Sequence, residues 1–225
     1  MKLLIIEDDA GIIKVVKLAF QIRWPEANVV STNLGHKGVE MAETESPDLI
    51  IIDLGLPDIS GFQVLESIRL FSTVPIIIIT VSGDENDIVS GLELGADEYI
   101  VKPFKQLEFL ARVQALVRRQ QQMIEQSPIS YGSLRFGPSM SKLIYKGKNI
   151  SLTQTEGIIL YTLMKHSGNV VTYYNLAEAV WGDYYPSADE SIRVYISHLR
   201  KKIEDDPNSP KIILTKIGVG YYLSK

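Results

Sequence analysis

Three short runs, residues 3–6 (Leu-Leu-Ile-Ile), 49–52 (Leu-Ile-Ile-Ile) and 76–79 (Ile-Ile-Ile-Ile), contain no polar residue. A strand with one wet face alternates apolar and polar residues. Unbroken runs such as these are buried on both faces, inside a parallel sheet covered by helices. The first run stops at Glu7, Asp8 and Asp9, the second at Asp53 and the third at Thr80. Polar groups therefore collect at the carboxyl ends of the strands, where open α/β sheets bind ligands.

The segments between the runs read as helices. Ile12, Val15, Val16 and Ala19 recur at helical spacing until Pro25. A weaker strand is expected over 28–31. Helices follow over 35–44, 61–70 and 85–94, the last capped by Gly95. A fifth strand over 99–101 ends at Lys102-Pro103, and a long helix runs from 106 to about 121. Five βα units predict an α/β fold, a doubly wound five-stranded parallel sheet in three layers.

Length allows two ordinary domains, since the chain has 225 residues. The absence of cysteine excludes disulfides, thiol catalysis and thiolate metal sites. The first apolar run is far too short for a signal peptide and no stretch approaches transmembrane length, so a cytoplasmic chain without membrane contact is expected. Charge is uneven. Residues 1–125 hold 11 Lys/Arg against 19 Asp/Glu, and residues 126–225 hold 12 against 8. A basic second half hints at nucleic acid.

Several carboxylates on one rim repel each other and call for a cation. Hard oxygen ligands without His or Cys point to Mg²⁺. Lys102 offers a point charge to a phosphoryl group and Thr80 a hydroxyl. Beside a metal, a lysine and a hydroxyl, Asp53 can serve as a nucleophile toward phosphorus. Taken alone, Asp53 could equally cap the next helix.

The motifs Ile6-Glu7-Asp8-Asp9, Asp53-Leu54-Gly55-Leu56-Pro57-Asp58-Ile59-Ser60-Gly61, Thr80, Gly95-Ala96-Asp97-Glu98-Tyr99 and Val101-Lys102-Pro103-Phe104 together resemble the CheY-like receiver domain of two-component response regulators. The resemblance implies that Asp53 accepts phosphate from a sensor histidine kinase. It implies Mg²⁺ ligation by Asp8, Asp53 and the Gly55 carbonyl, with Glu7 acting through water. Thr80 and Tyr99 match the family's switch pair, and Lys102-Pro103 its cis-proline step. Val81 departs from the pattern, because a small residue usually follows the switch threonine, and its methyls are expected to narrow the approach to Asp53. The Asp-x-Asp of haloacid-dehalogenase-type phosphatases is missing, since position 55 is Gly. The wording from Asp53 to Asp58 is similar to that of KdpE-type regulators.

Residues 118–128 are polar and Gln-rich. They predict a linker over 122–128 between a receiver at 1–121 and a second domain at 129–225. Segments 133–136, 143–145 and 148–151 read as an antiparallel meander. Thr153-Gln154-Thr155-Glu156 is a capping box opening a helix through Lys165, and a second helix carries Leu176, Ala179, Val180 and Trp181. Ser187-Ala188-Asp189-Glu190 opens a third helix to about Glu204. Ile192, Ile196, Leu199 and Ile203 form its apolar stripe; Glu190, Val194, Ser197, His198 and Lys201 lie opposite, with Arg193, Arg200 and Lys202 at the edges. A hairpin of 212–215 with 221–223 follows. This α+β order predicts a winged helix-turn-helix with the third helix in the major groove of DNA.

Residues 129–225 resemble the DNA-binding domain of the OmpR/PhoB subfamily, on Leu152-Thr153-Gln154-Thr155-Glu156, Val180-Trp181-Gly182, the run from Ser191 to Ile203 and Gly218-Val219-Gly220-Tyr221. The implied DNA contacts are Ser191, Arg193, Val194, Tyr195, Ser197, His198, Arg200, Lys201 and Lys216. Ile217 stands where many relatives have Arg, leaving Lys216 to meet the phosphate. Glu190 and Ser197 replace residues that are often basic. The resemblance implies a regulator that is not an enzyme. It implies a homodimer formed on phosphorylation, promoter DNA with a direct repeat or two half-sites, and RNA polymerase as a further partner. The implied dimer face carries Ile88, Glu98, Glu108 and Arg112. Glu98 and Arg112 would pair across it, and Ile88 would extend an apolar patch with Leu92 and Val113. The rival reading is a phosphorylation-independent DNA-binding regulator that uses its receiver only to dimerise. The intact acidic, Thr80, Tyr99 and Lys102 set opposes it, and Val81 favours it.

Overall fold

The computed structural model describes residues 1–124, 129–137, 140–182 and 188–224. The chain divides into two compact units, Met1–Val113 and Gln114–Lys225.

The first unit alternates strand and helix: β1 (Lys2–Ile6), α1 (Ala10–Arg23), β2 (Asn28–Thr32), α2 (Gly35–Thr44), β3 (Leu49–Ile52), α3 (Gly61–Arg69), β4 (Ile76–Thr80), α4 (Glu85–Glu93), β5 (Glu98–Val101) and the start of α5 (Gln106–Ile124). The sheet order is β2-β1-β3-β4-β5 and every pairing is parallel. All three apolar runs are fully buried central strands, as their lack of alternation requires.

Helix starts follow from their caps. Asp9 accepts from the Gly11 and Ile12 N–H groups at α1, and Ser60 with Gln63 makes a capping box at α3. The start of α2 has no such residue of its own, because its cap position is Leu34. Asp58, from the loop after β3, fills the role: its carboxylate accepts from Gly35 N–H (2.7 Å) and His36 N–H (3.0 Å). Those bonds hold its pKa below the usual carboxylate range. They also tie the loop after Asp53 to the neighbouring helix. At the opposite end of the sheet, Arg69 bonds the Gly95, Ser72 and Val74 carbonyls and pairs with the buried Asp97 at 2.9 Å. That closed charge pair fastens the entries of β4 and β5.

The second unit holds an antiparallel four-stranded sheet, β6 (Ser130–Tyr131), β7 (Leu134–Phe136), β8 (Lys142–Tyr145) and β9 (Lys148–Ser151). Three helices follow: α6 (Gln154–Lys165), α7 (Tyr173–Trp181) and α8 (Ala188–Ile203). A three-stranded sheet of order β10-β12-β11 joins β10 (Val171–Thr172) to the hairpin of β11 (Ile213–Lys216) and β12 (Gly220–Leu223). The meander and the helix–helix–hairpin order agree with the sequence patterns. Thr153 and Glu156 form the expected capping box. Helix α5 continues to Ile124, past the start of the expected linker, while residues 125–128 and the proposed cap Ser187 lie outside the described residues.

Candidate functional site

The carboxyl ends of β1, β3 and β5 bring three charged groups together. Lys102 Nζ lies 2.7 Å from Glu7 Oε2 and 2.7 Å from Asp53 Oδ2. Asp8 completes an acidic group with Glu7 and Asp53 whose ligand oxygens all lie within 4.8 Å of one another. Glu7 and Asp53 are buried, whereas Asp8 is exposed at the mouth. Tight chain geometry places Asp53: a Cβ on Gly61 would fall 2.1 Å from the Asp53 carbonyl, so only glycine lets the loop return this closely. The Gly55 N–H donates to Asp53 Oδ1 at 3.3 Å, and the Asp9 N–H donates to Glu7 Oε1 at 3.2 Å.

Two carboxylates share one lysine, so they titrate apart. Burial pushes Glu7 up to about 7, with the neighbouring Asp53 charge adding to the shift. Burial also acts to raise Asp53, but the Lys102 bond and charge, with the Gly55 N–H, outweigh it and hold Asp53 below its usual value. The same two carboxylates hold Lys102 above the usual lysine value against the effect of its burial. The site therefore carries excess negative charge at an open mouth. Its donor set is all oxygen, the set that suits a hard divalent cation.

Thr80 and Tyr99 meet through a residue the sequence did not single out. Ser82 N–H donates to Thr80 Oγ1 at 3.4 Å, and the Tyr99 hydroxyl donates to the Ser82 carbonyl at 3.0 Å. Ser82 Oγ in turn donates to Asp87 of α4 at 2.5 Å. Both Thr80 and Tyr99 are buried, and burial raises the Tyr99 hydroxyl to about 12. The Lys102–Pro103 peptide is cis. Val81 is 77% exposed, so it stands out in solvent instead of packing within the site.

The residues expected on the dimer face make the following contacts within the chain. Glu98 is buried and pairs within its own chain with Arg112 at 3.2 Å, and Arg112 also holds Glu108 at 2.8 Å. Within the single chain, then, Arg112 pairs with both Glu98 and Glu108. Leu92 and Val113 belong to the core, Ile88 is half-buried, and Val89 beside it is exposed.

On α8 the packing divides the expected DNA contacts. Arg193 and Lys201 are exposed, Val194 and Ser197 are half-exposed, and Lys216 is exposed on the hairpin. Ser191, Tyr195 and His198 are buried, which corrects their assignment to the surface. Tyr195 packs near Trp181, with ring centroids 6.5 Å apart. His198 Nδ1 lies 3.7 Å from the buried Glu156 carboxylate, which Lys202 also contacts at 2.5 Å. Arg200 turns to the hairpin: it donates to the Ile213 carbonyl (3.0 and 2.7 Å) and Thr215 Oγ1 (2.8 Å), with its guanidinium 5.7 Å from the Tyr221 ring. Arg193 lies over Tyr173 at 5.6 Å, and Tyr173 meets Tyr221 edge-on at 5.5 Å. A helix has one apolar stripe whose width depends on its neighbours, and here the stripe is wide enough to take in Tyr195 and His198.

Comparisons with known proteins agree with this division of the chain. Residues 3–114 match the response regulator receiver domain family, and residues 147–223 match the family described as transcriptional regulatory protein, C terminal. The transcriptional regulatory protein KdpE of Mycobacterium tuberculosis is 38% identical over 220 residues, covering 97% of this chain and 96% of the relative. The crystal structure of DrrB, an OmpR/PhoB homolog from Thermotoga maritima, is 31% identical with TM-score 0.52, covering 100% of this chain and 99% of that one. A solved RitR mutant is 25% identical with TM-score 0.76, with the same coverage. No helix among the described residues is long and apolar enough to cross a membrane.

Proposed function

The chain belongs to the two-component response regulators of the OmpR/PhoB type, which join a receiver to a DNA-binding effector domain, and from that premise we propose that phosphorylation of Asp53 controls its binding to promoter DNA. The observation that carries the proposal is the single Lys102 ammonium held 2.7 Å from both Asp53 and Glu7 at the open rim of the sheet.

The Lys102 bond and charge favour the ionised form of Asp53, the form a nucleophile needs. One of its oxygens attacks the phosphorus of a phosphohistidine on a sensor kinase; the new O–P bond forms as the P–N bond breaks, and the imidazole leaves with a proton from solvent. Lys102 lies close enough to pass from the carboxylates to a phosphoryl oxygen. Thr80 offers a hydroxyl at the end of the adjacent strand. Asp8, Asp53 and the Gly55 carbonyl would hold Mg²⁺, with Glu7 behind them through water. When bound, the ion supplies positive charge that offsets the carboxylates and the incoming phosphoryl oxygens.

The Thr80–Ser82–Tyr99 bonds connect the site to α4 through Asp87. A phosphoryl group that engages Thr80 withdraws it from Ser82, and the loop before α4 then rearranges. Two receivers pair in that state and present two DNA-binding units to two half-sites. In each unit α8 enters the major groove with Arg193, Val194, Ser197 and Lys201 outward.

The test uses the full chain with acetyl phosphate and Mg²⁺. Intact-mass measurement is expected to show one phosphate on the wild type and none on Asp53→Asn or in excess chelator. Gel-shift titration on a duplex that the chain selects from a randomised pool is expected to tighten with phosphorylation. An unchanged affinity would favour the phosphorylation-independent reading.

A further inference from the structure

Two arginines share one edge of α8 and are used differently. Arg193 and Arg200 stand about two helical turns apart, so they leave the helix in nearly the same direction. Arg200 is committed to the hairpin, through the Ile213 carbonyl and Thr215 Oγ1. Arg193 is exposed, and its guanidinium lies over the Tyr173 ring at 5.6 Å. A hydrogen bond to the Tyr173 hydroxyl holds Arg193 above the usual arginine value. Tyr173 is itself fixed. It opens α7 directly after β10, which pairs with β12 in the register Val171 to Tyr221 and Thr172 to Gly220. Its N–H donates to the Val219 carbonyl at 3.1 Å. Its ring meets Tyr221 edge-on, with centroids 5.5 Å apart, and Arg200 covers Tyr221 at 5.7 Å. Burial, with a hydrogen bond to Tyr173, raises the Tyr221 hydroxyl and keeps it a donor. An alternating row of Arg193, Tyr173, Tyr221 and Arg200 therefore joins α8 to α7 and β12.

An arginine on a bare helix edge samples many rotamers, and that freedom is lost when it binds. A guanidinium laid on an aromatic face, with a hydroxyl at its edge, has already lost much of it. Its planar fork is then preorganised for whatever acceptor it meets next. Arg193 lies in the N-terminal half of α8, beside Val194 and one turn before Ser197. That is the part of a recognition helix whose side chains meet base edges. Resting on the DNA-binding reading above, we propose that Tyr173 is a positioning residue, which holds the Arg193 fork for paired hydrogen bonds to O6 and N7 of one guanine in the major groove. Arg193 sets the base preference at that position, and Tyr173 sets how strictly it is kept. Tyr173 acts through Arg193 and needs no base contact of its own. Arg200 braces the row from its other end, so the hairpin it clamps also steadies the reading side chain.

The experiment uses the full chain and the duplex it selects from a randomised pool. A guanine analogue with carbon in place of N7 replaces each guanine in turn, and fluorescence anisotropy reads affinity at two salt concentrations. At one position the analogue is expected to weaken the wild type about tenfold, and Arg193→Ala is expected to be indifferent to it. Tyr173→Leu keeps the apolar bulk but loses the ring face and the hydroxyl. It is expected to weaken binding to the natural duplex about fivefold and to lose most of the discrimination. Tyr173→Phe keeps the ring face and is expected to restore most of it. In the Arg193→Ala background Tyr173→Leu is expected to cost nothing further, whereas a purely structural role costs the same in both backgrounds. Full discrimination in Tyr173→Leu, or equal loss in both backgrounds, overturns the positioning role. If Arg193→Ala instead lowers the salt slope by about one unit and leaves the analogue effect intact, Arg193 meets a phosphate and the proposal fails. Thermal unfolding identifies any folding defect in Tyr173→Leu. Tyr173→Phe, which keeps the packing, then decides: a loss of discrimination of about twofold is expected, confined to chains that retain Arg193. Failure of the wild type to select any duplex overturns the DNA-binding reading itself.

Discussion

Two lysines set the two regions of this molecule apart. Lys102 is largely buried and holds two carboxylates at 2.7 Å, at a rim that three strands reach together. Lys201 stands exposed on α8, on the face turned to solvent. In the receiver, position along a strand decides what a residue meets, because parallel strands in register deliver their ends to one place. On the recognition helix, position along the chain decides only the angle, and packing decides which angles are covered. A residue of the same type is thus fixed by the chain in one region and by its neighbours in the other.

The sharpest way to break this comparison is Tyr195, which sequence reading put on the DNA face and the structure fully buries. Tyr195→Ala should lower the stability of the second unit by about 3–5 kcal/mol, while Arg193→Ala leaves it nearly unchanged. Denaturant melts of both variants decide it; equal stabilities would return Tyr195 to the surface.

Next in size is Lys102. Its replacement by Ala removes the only cation that the described residues place on Asp53, and should slow phosphorylation by acetyl phosphate about a hundredfold or more. Time-resolved intact mass measures this, and a rate near wild type would mean that the metal suffices.

Glu98 tests the same inward turn by pH. Burial, opposed by Arg112, raises its pKa to about 6 from 4.5. The folded chain therefore binds an extra proton between those values. Its contribution to stability is greatest below about 4.5 and is lost as pH rises through about 6. Glu98→Gln does not titrate, so its stability relative to wild type should rise by on the order of 2 kcal/mol across that window. Melts on either side of the window read the difference; a constant offset would place Glu98 in water.

The smallest effects separate Arg200 from Lys201. Lys201→Ala should weaken DNA binding severalfold and lower the salt slope by about one unit, as loss of one phosphate contact does. Arg200→Ala should also weaken binding, by loosening the hairpin it clamps, with little change of slope. Gel shifts at two salt concentrations distinguish them, and matching slopes for the two variants would remove the distinction.

The sequence by itself determined the strands and most of the rim. Residues 49–52 lack any polar residue, so burial on both faces followed, and Asp53 had to sit at a central strand end. Glu7, Thr80 and Lys102 were legible for the same reason, and Tyr99 through the motif it closes. Only the tertiary structure revealed Ser82 between Thr80 and Tyr99, or Asp58 as the cap of α2, because the Tyr99 hydroxyl reaches the Ser82 carbonyl from 17 residues away and the Gly35 N–H reaches Asp58 from 23. Likewise, nothing in the spacing of α8 could tell that α6 and α7 cover Tyr195 and His198, or that β11 captures Arg200. Helical period sets the direction of a side chain, but its exposure is a property of the neighbours that arrive there, and those come from distant parts of the chain.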